Sequence, residues 1–118
     1  MNADWLRSFC LALQGTKEDI KWGNDLCFTV AEKLFCVTAL DGPFKVSFKV
    51  KDEEFEELSQ QEGFMSAPYM ARARWVLVTE PGRLSRNEWE GYIKQSYELI
   101  VSKLTKKQKS EIESFKKK

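Results

Sequence analysis

The sequence predicts an α+β domain in which a largely antiparallel β-sheet carries helices on one face. Three observations predict it. Residues 26–50 place apolar side chains at a period of two, the spacing of a strand with one buried face. Residues 85–104 place them along one side of a helix, behind strong start signals. The turns between the strands are too short for the crossovers that parallel pairing requires. At 118 residues the chain suits a single domain, 1–118, with a substantial core.

The first element is a helix capped by Asn2, with Asp4 in its first turn. Trp5, Leu6, Phe9, Cys10 and Leu13 form its apolar stripe, and Gly15 supplies a left-handed stop. A short strand is expected at Asp19–Trp22. Two longer strands follow, joined at Ala31-Glu32; this turn pairs Phe28 with Phe35 and Leu26 with Val37. The same register sets Cys27 opposite Cys36 on the less buried face. Asp41-Gly42-Pro43 turns the chain into a third strand, where Phe44, Val46, Phe48 and Val50 alternate with Lys45, Ser47, Lys49 and Lys51.

Asp52 is expected to cap a helix that begins at Glu53 and ends at Gly63. Residues 64–74 are non-repetitive, and Pro68 rules out a long helix there. Trp75–Thr79 is rich in strand formers and stops at Pro81-Gly82. The next helix has Ser85 and Glu88 as a capping box, with Leu84 and Trp89 in the hydrophobic-staple positions. Thr105 and Gln108 open a further short helix in a basic C-terminal extension, 105–118. The expected order is α-β-β-β-α-β-α, with the Trp5 and Trp89 helices on the same side of the sheet.

Composition narrows the function. The chain has no histidine, so Ser-His-Asp and Cys-His schemes are absent. Its three cysteines, Cys10, Cys27 and Cys36, have no zinc-like spacing and suit a reducing compartment. No apolar run is long enough to span a bilayer, and the first residues lack the pattern of a secretory signal. The expectation is a monomeric cytoplasmic protein with no catalytic site, no cofactor and no metal site. Net charge is only +1, but the segment Asp52–Gly63 holds six acidic residues and no basic one, which leaves +7 on the rest of the chain.

Several short motifs recur in order along the chain: Leu13-Gln14-Gly15, Trp22-Gly23, Phe28, Lys33 with Phe35, Lys49, Gly63, Ala67-Pro68-Tyr69, Trp75-Val76 and Ser96-Tyr97. Together they resemble the MmcQ/YjbR family over about Trp5 to Leu104, although members of that family often carry proline where Gln14 stands. The resemblance implies an α/β sandwich similar to the CyaY (frataxin) fold and a double-wing surface that contacts DNA.

Two groups of side chains are candidates for that contact. Lys45, Lys49 and Lys51 project from one face of a strand, in a row spaced to meet successive phosphates. A lysine row is also an ordinary way to keep a wet sheet face soluble. Because Lys49 points away from the core, its removal is expected to leave folding almost unchanged. The second group is the 64–75 segment, where Arg72 and Arg74 suit phosphates and Tyr69 suits stacking on a base. The same segment serves equally as a core cap with solvated arginines. Duplex DNA is the expected partner; the alternative is a protein-interaction or small-ligand module built on this segment. Glu53, Glu54, Glu56 and Glu57 point in several directions from one helix, so no tight metal site is expected among them. Lys106, Lys107, Lys109 and Lys116–Lys118 make either a basic arm or a solubilising terminus.

Overall fold

The computed structural model describes residues 2–68 and 70–114. Helix α1 (Ala3–Ala12) precedes four strands: β1 (Thr16–Lys21), β2 (Asp25–Val30), β3 (Lys33–Ala39) and β4 (Val46–Lys49). Helix α2 (Asp52–Leu58) leads to a hairpin of β5 (Phe64–Ser66) and β6 (Trp75–Val78), followed by α3 (Arg86–Val101) and α4 (Lys106–Ser114). The six strands lie in the order β1-β2-β3-β4-β6-β5, every neighbouring pair antiparallel. The fold is therefore the expected α+β class. Its element order is longer than the expected one, because β1, β5 and α4 are full elements.

Strand alternation assigns the two faces. One face presents Phe28, Cys36, Phe48 and Val76 in one row and Leu26, Thr38, Val46 and Val78 in the next. Leu6 and Cys10 of α1, Leu58 of α2, Trp89 and Ile93 of α3 and Ile112 of α4 join these rows in one buried cluster. All four helices thus share a face, as the sequence predicts for the Trp5 and Trp89 helices. Asn2 caps α1 through Trp5 N at 2.9 Å. The capping box of α3 is complete, with Glu88 N on Ser85 Oγ at 3.1 Å and Ser85 N on Glu88 Oε1 at 2.9 Å. Arg7 of α1 reaches Glu18 of β1 through two bonds of 2.7 and 2.6 Å, and this hydrogen bonding holds the Glu18 carboxyl below its usual range.

Two expectations are corrected. Residue Lys51, not Asp52, is the N-cap of α2; the helix takes in Asp52, whose carboxylate is drawn instead to Arg74 at 3.1 Å. The second concerns the β2–β3 hairpin. Ala31 and Glu32 do form its turn, both with positive φ, and Val30 pairs with Lys33 and Thr29 with Leu34. A β-bulge then inserts Phe35, so Phe28 faces Cys36 and Cys27 faces Val37. The expected Phe28–Phe35, Leu26–Val37 and Cys27–Cys36 pairs are each displaced by one residue. The bulge lets two neighbouring large side chains serve the core: Phe35 packs edge-on against Tyr97 at 5.4 Å while Cys36 lies beside Cys10.

All three thiols are buried. Burial, and then the neighbouring Cys10 thiol, push Cys36 well above its usual pKa; burial, and then the Asp25 carboxylate, raise Cys27. A thiol kept protonated and covered is a poor nucleophile. Native protein treated with a disulfide reagent at neutral pH should therefore label no faster than it unfolds. Rapid labelling of one thiol in folded protein would show that its strand is open to solvent.

The short helix α4 docks rather than projecting. Gln14 Nε2 donates to the Ile112 carbonyl at 2.8 Å, and Tyr97 Oη donates to the Gln14 carbonyl. Between them Gly15 has φ +78°, and a Cβ there would sit 3.3 Å from the Ile112 side chain. Glycine meets both demands. Lys106, Lys107 and Lys109 ride on this helix, and Lys116–Lys118 fall outside the described residues. No helix among the described residues is long and apolar enough to cross a membrane.

Candidate nucleic-acid interface

The face of the sheet turned away from the helices carries the candidate residues. It is only partly wet. The β5–β6 connection folds back over it through a 3₁₀ turn, Ala71–Ala73, closed by Arg74 in the left-handed region at φ 63°. This connection buries Ala67 and leaves Trp75 only 3% exposed, apart from the main cluster. Trp75 sits opposite Lys49 in the β4–β6 register.

Lys49 lies on this face because Phe48, next to it, packs on Trp89 and Tyr92 among the helices. Its ammonium donates to the Ala73 carbonyl, so the lysine pins the folded-back segment. Burial, and then the Lys103 ammonium at the end of α3, lower its pKa; Asp52 partly opposes them and Arg74 adds to them. Arg74 is clasped by α2: its Nε is 3.1 Å from Asp52 Oδ1, and its guanidinium carbon lies 5.4 Å from the centre of the Phe55 ring. Lys51 is exposed where β4 passes into α2, and its backbone N–H is held by Glu54 Oε1 at 3.1 Å. Arg72 is exposed on the 3₁₀ turn.

The structure thus brings Lys103, Asp52 and Arg74 within electrostatic reach of Lys49, with Arg74 paired to Asp52 and with Lys51 and Arg72 exposed beside them in the chain. It does not keep Lys45, Lys49 and Lys51 as one strand row. Strand β4 spans only Val46–Lys49, so Lys51 belongs to the cap of α2. Lys45 is half-buried near the other end of β4, about 13 Å from Lys49 at ~3.3 Å per residue. Tyr69 lies outside the described residues. Lys103 is the addition that sequence reasoning missed, because only the tertiary fold brings the end of α3 to the end of β4.

Among the described residues, Asp52 is the one carboxylate of the acidic helix that forms an ion pair with this cluster. Glu54 turns to Gln95 Nε2 at 2.8 Å, and Glu54, Glu57 and Glu88 surround Tyr92 on the helix layer. Burial, and then these carboxylates, raise the Tyr92 pKa. Among the described residues no three carboxylates or thiols converge as a metal-binding set.

A cleft of about 660 Å³ opens on the same outer face, with Val37 and Ser47 lining it together with Pro68, Met70, Trp22 and Asp25. Ser47 lies two residues before Lys49 on β4, so the cleft neighbours that lysine along the strand. In the sequence Trp22 was legible only as the end of a short strand and as part of the Trp22-Gly23 motif, and neither Asp25 nor Ser47 stood out as a site residue.

Comparison with known proteins agrees with this architecture. A Deinococcus radiodurans protein of the DUF419 domain, known from its crystal structure, superposes with a TM-score of 0.84 at 27% identity, over 94% of this chain and 87% of that one. A crystal structure of a Pseudomonas syringae protein superposes with a TM-score of 0.69 at 21% identity, over 84% of this chain and 98% of that one, which speaks to the fold alone. No curated protein matches the sequence. The YjbR family model matches residues 11–99, from the end of α1 to the last turns of α3, and the chain belongs to the YjbR family.

Proposed function

We propose that this protein is a non-catalytic DNA-binding module that grips the phosphate backbone with the cationic end of its outer sheet face. The observation that supports this most is that Lys103 and Arg74 come within electrostatic reach of Lys49, with exposed Lys51 and Arg72 beside them in the chain. Fixed cations held by the scaffold lose little freedom on meeting a phosphate, and phosphate contacts need no base sequence. Asp52 is the carboxylate that pairs with this group, while Glu54 and Glu57 lie toward Tyr92 on the helix layer. The module is read as a cytoplasmic monomer, in keeping with its composition.

The test uses Lys51 and Arg72, whose side chains are exposed and make no ion pair among the described residues. Lys49 is unsuited to it, because its ammonium pins the 67–74 segment and its loss loosens the fold as well as the site. Lys51→Ala with Arg72→Ala should weaken binding to all DNA sequences alike and make the log–log salt dependence shallower by about one unit per cation removed. Stability should stay within about 0.5 kcal/mol of the parent. Unchanged affinity in the double variant counts against this surface. The cleft beside it favours a second reading, a small-ligand or protein-interaction module in which the 64–75 segment forms one wall.

A further inference from the structure

Trp22 is unusual in two ways. It is 71% exposed, and it holds φ +52° in the β1–β2 turn, a region that disfavours bulky residues. Asparagine or glycine would serve the turn better, so the indole costs stability without contributing to the core. It stands at the mouth of the outer-face cleft, where Val37, Pro68 and Met70 supply apolar walls. Asp25 and Ser47, two residues with polar side chains, also line this space, and neither side chain makes a hydrogen bond or ion pair among the described residues. Apolar walls, an exposed aromatic face and an uncommitted acceptor suit a flat heteroaromatic ring that carries an amino donor. Lys49 lies two residues beyond Ser47 on the same face of β4, and Lys45 lies in the chain just before that strand begins.

We propose that this cleft takes an unpaired base of single-stranded DNA, stacked on Trp22 with its exocyclic amino group on Asp25, while Lys45 and Lys49 meet the flanking phosphates. The proposal rests on the phosphate-binding reading above and names the strand form that the surface prefers. In a duplex the base faces are stacked and the amino groups paired, so only the phosphate contacts remain. Cytosine, adenine and guanine carry the amino donor; thymine does not.

The experiment is a fluorescence-anisotropy titration, at low salt, of the full chain with labelled oligo-dC, oligo-dT and a duplex of equal length. Parent protein should bind oligo-dC most tightly. Trp22→Asn, which suits the left-handed turn and should not lower the melting temperature, should lose roughly ten- to a hundredfold in single-strand affinity while keeping duplex affinity. Asp25→Asn should abolish the preference for dC over dT. A Trp22→Asn protein that binds single strands like the parent, or that loses both strand forms alike, overturns the base-binding proposal and leaves the phosphate reading standing. Failure of every DNA to bind at low salt overturns both. Titration with free cytidine monophosphate completes the test: if it saturates as tightly as the oligonucleotide, the cleft is a free-nucleotide site and the strand assignment is wrong.

Discussion

Replacing Trp89 by alanine should lower the unfolding free energy by about 4 kcal/mol, within the usual range for truncating a large buried aromatic. Trp89 is 1% exposed and lies where α3 meets the sheet. Its ring centre is 6.1 Å from that of Phe48 and 6.4 Å from that of Phe44, and its Nε1 donates to the Pro81 carbonyl at 3.0 Å. Truncation removes both ring contacts, leaves a cavity between layers that are fixed by other residues, and strips Pro81 of its donor. A loss of this size is a large share of the stability of a domain of this length, about 5–15 kcal/mol in total. Urea unfolding measures it directly. A loss below about 1 kcal/mol would mean that α3 is not the main cover of this face.

Ser96→Ala should cost about 2–3 kcal/mol, far more than an ordinary serine. Its hydroxyl is fully buried, donates to the Phe35 carbonyl at 2.6 Å and accepts from the Lys49 N–H at 2.9 Å. Paired residues of β3 and β4 run only from Cys36–Phe48 to Thr38–Val46, so beyond them the hydroxyl of α3 bridges the two strands in place of the ladder. Alanine leaves one donor and one acceptor without partners, and each buried orphan costs about 1–3 kcal/mol. Amide exchange at Lys49 should accelerate in the variant, which separates this mechanism from a general loss of packing. A change below about 0.5 kcal/mol would show that water replaces the hydroxyl.

Elements governed by local chemistry were legible in the sequence. Asn2, Ser85 with Glu88 and the Ala31-Glu32 turn each act within a few residues, and each is found where expected. Features set at long range were not legible. Phe35 looks like any other apolar strand residue, and only its place under Tyr97 makes a bulge the better packing. Strand β5 is three residues long and exists through its pairing with β6. Strand β1 is an edge, and its charged residues mask its pattern as edges commonly do. The candidate site divides in the same way. That Lys49 faces away from the helices follows from alternation, but its bond to Ala73 and the capture of Arg74 by Asp52 depend on chain segments more than twenty positions away. Exposed Arg72 and Lys51 needed no tertiary knowledge, whereas Lys103 and the Trp22 cleft did.

The most direct test of the phosphate-binding account is the affinity of the unmodified protein for DNA across a series of salt concentrations. Each neutralised phosphate contributes about −0.9 to the log–log slope for duplex DNA, so three contacts predict a slope of about −2.7. Between 50 and 200 mM salt that is a loss of about fortyfold. The account predicts measurable binding at low salt and a slope of about −2 or steeper. Binding whose slope is near zero, or no binding even at the lowest salt, would contradict it.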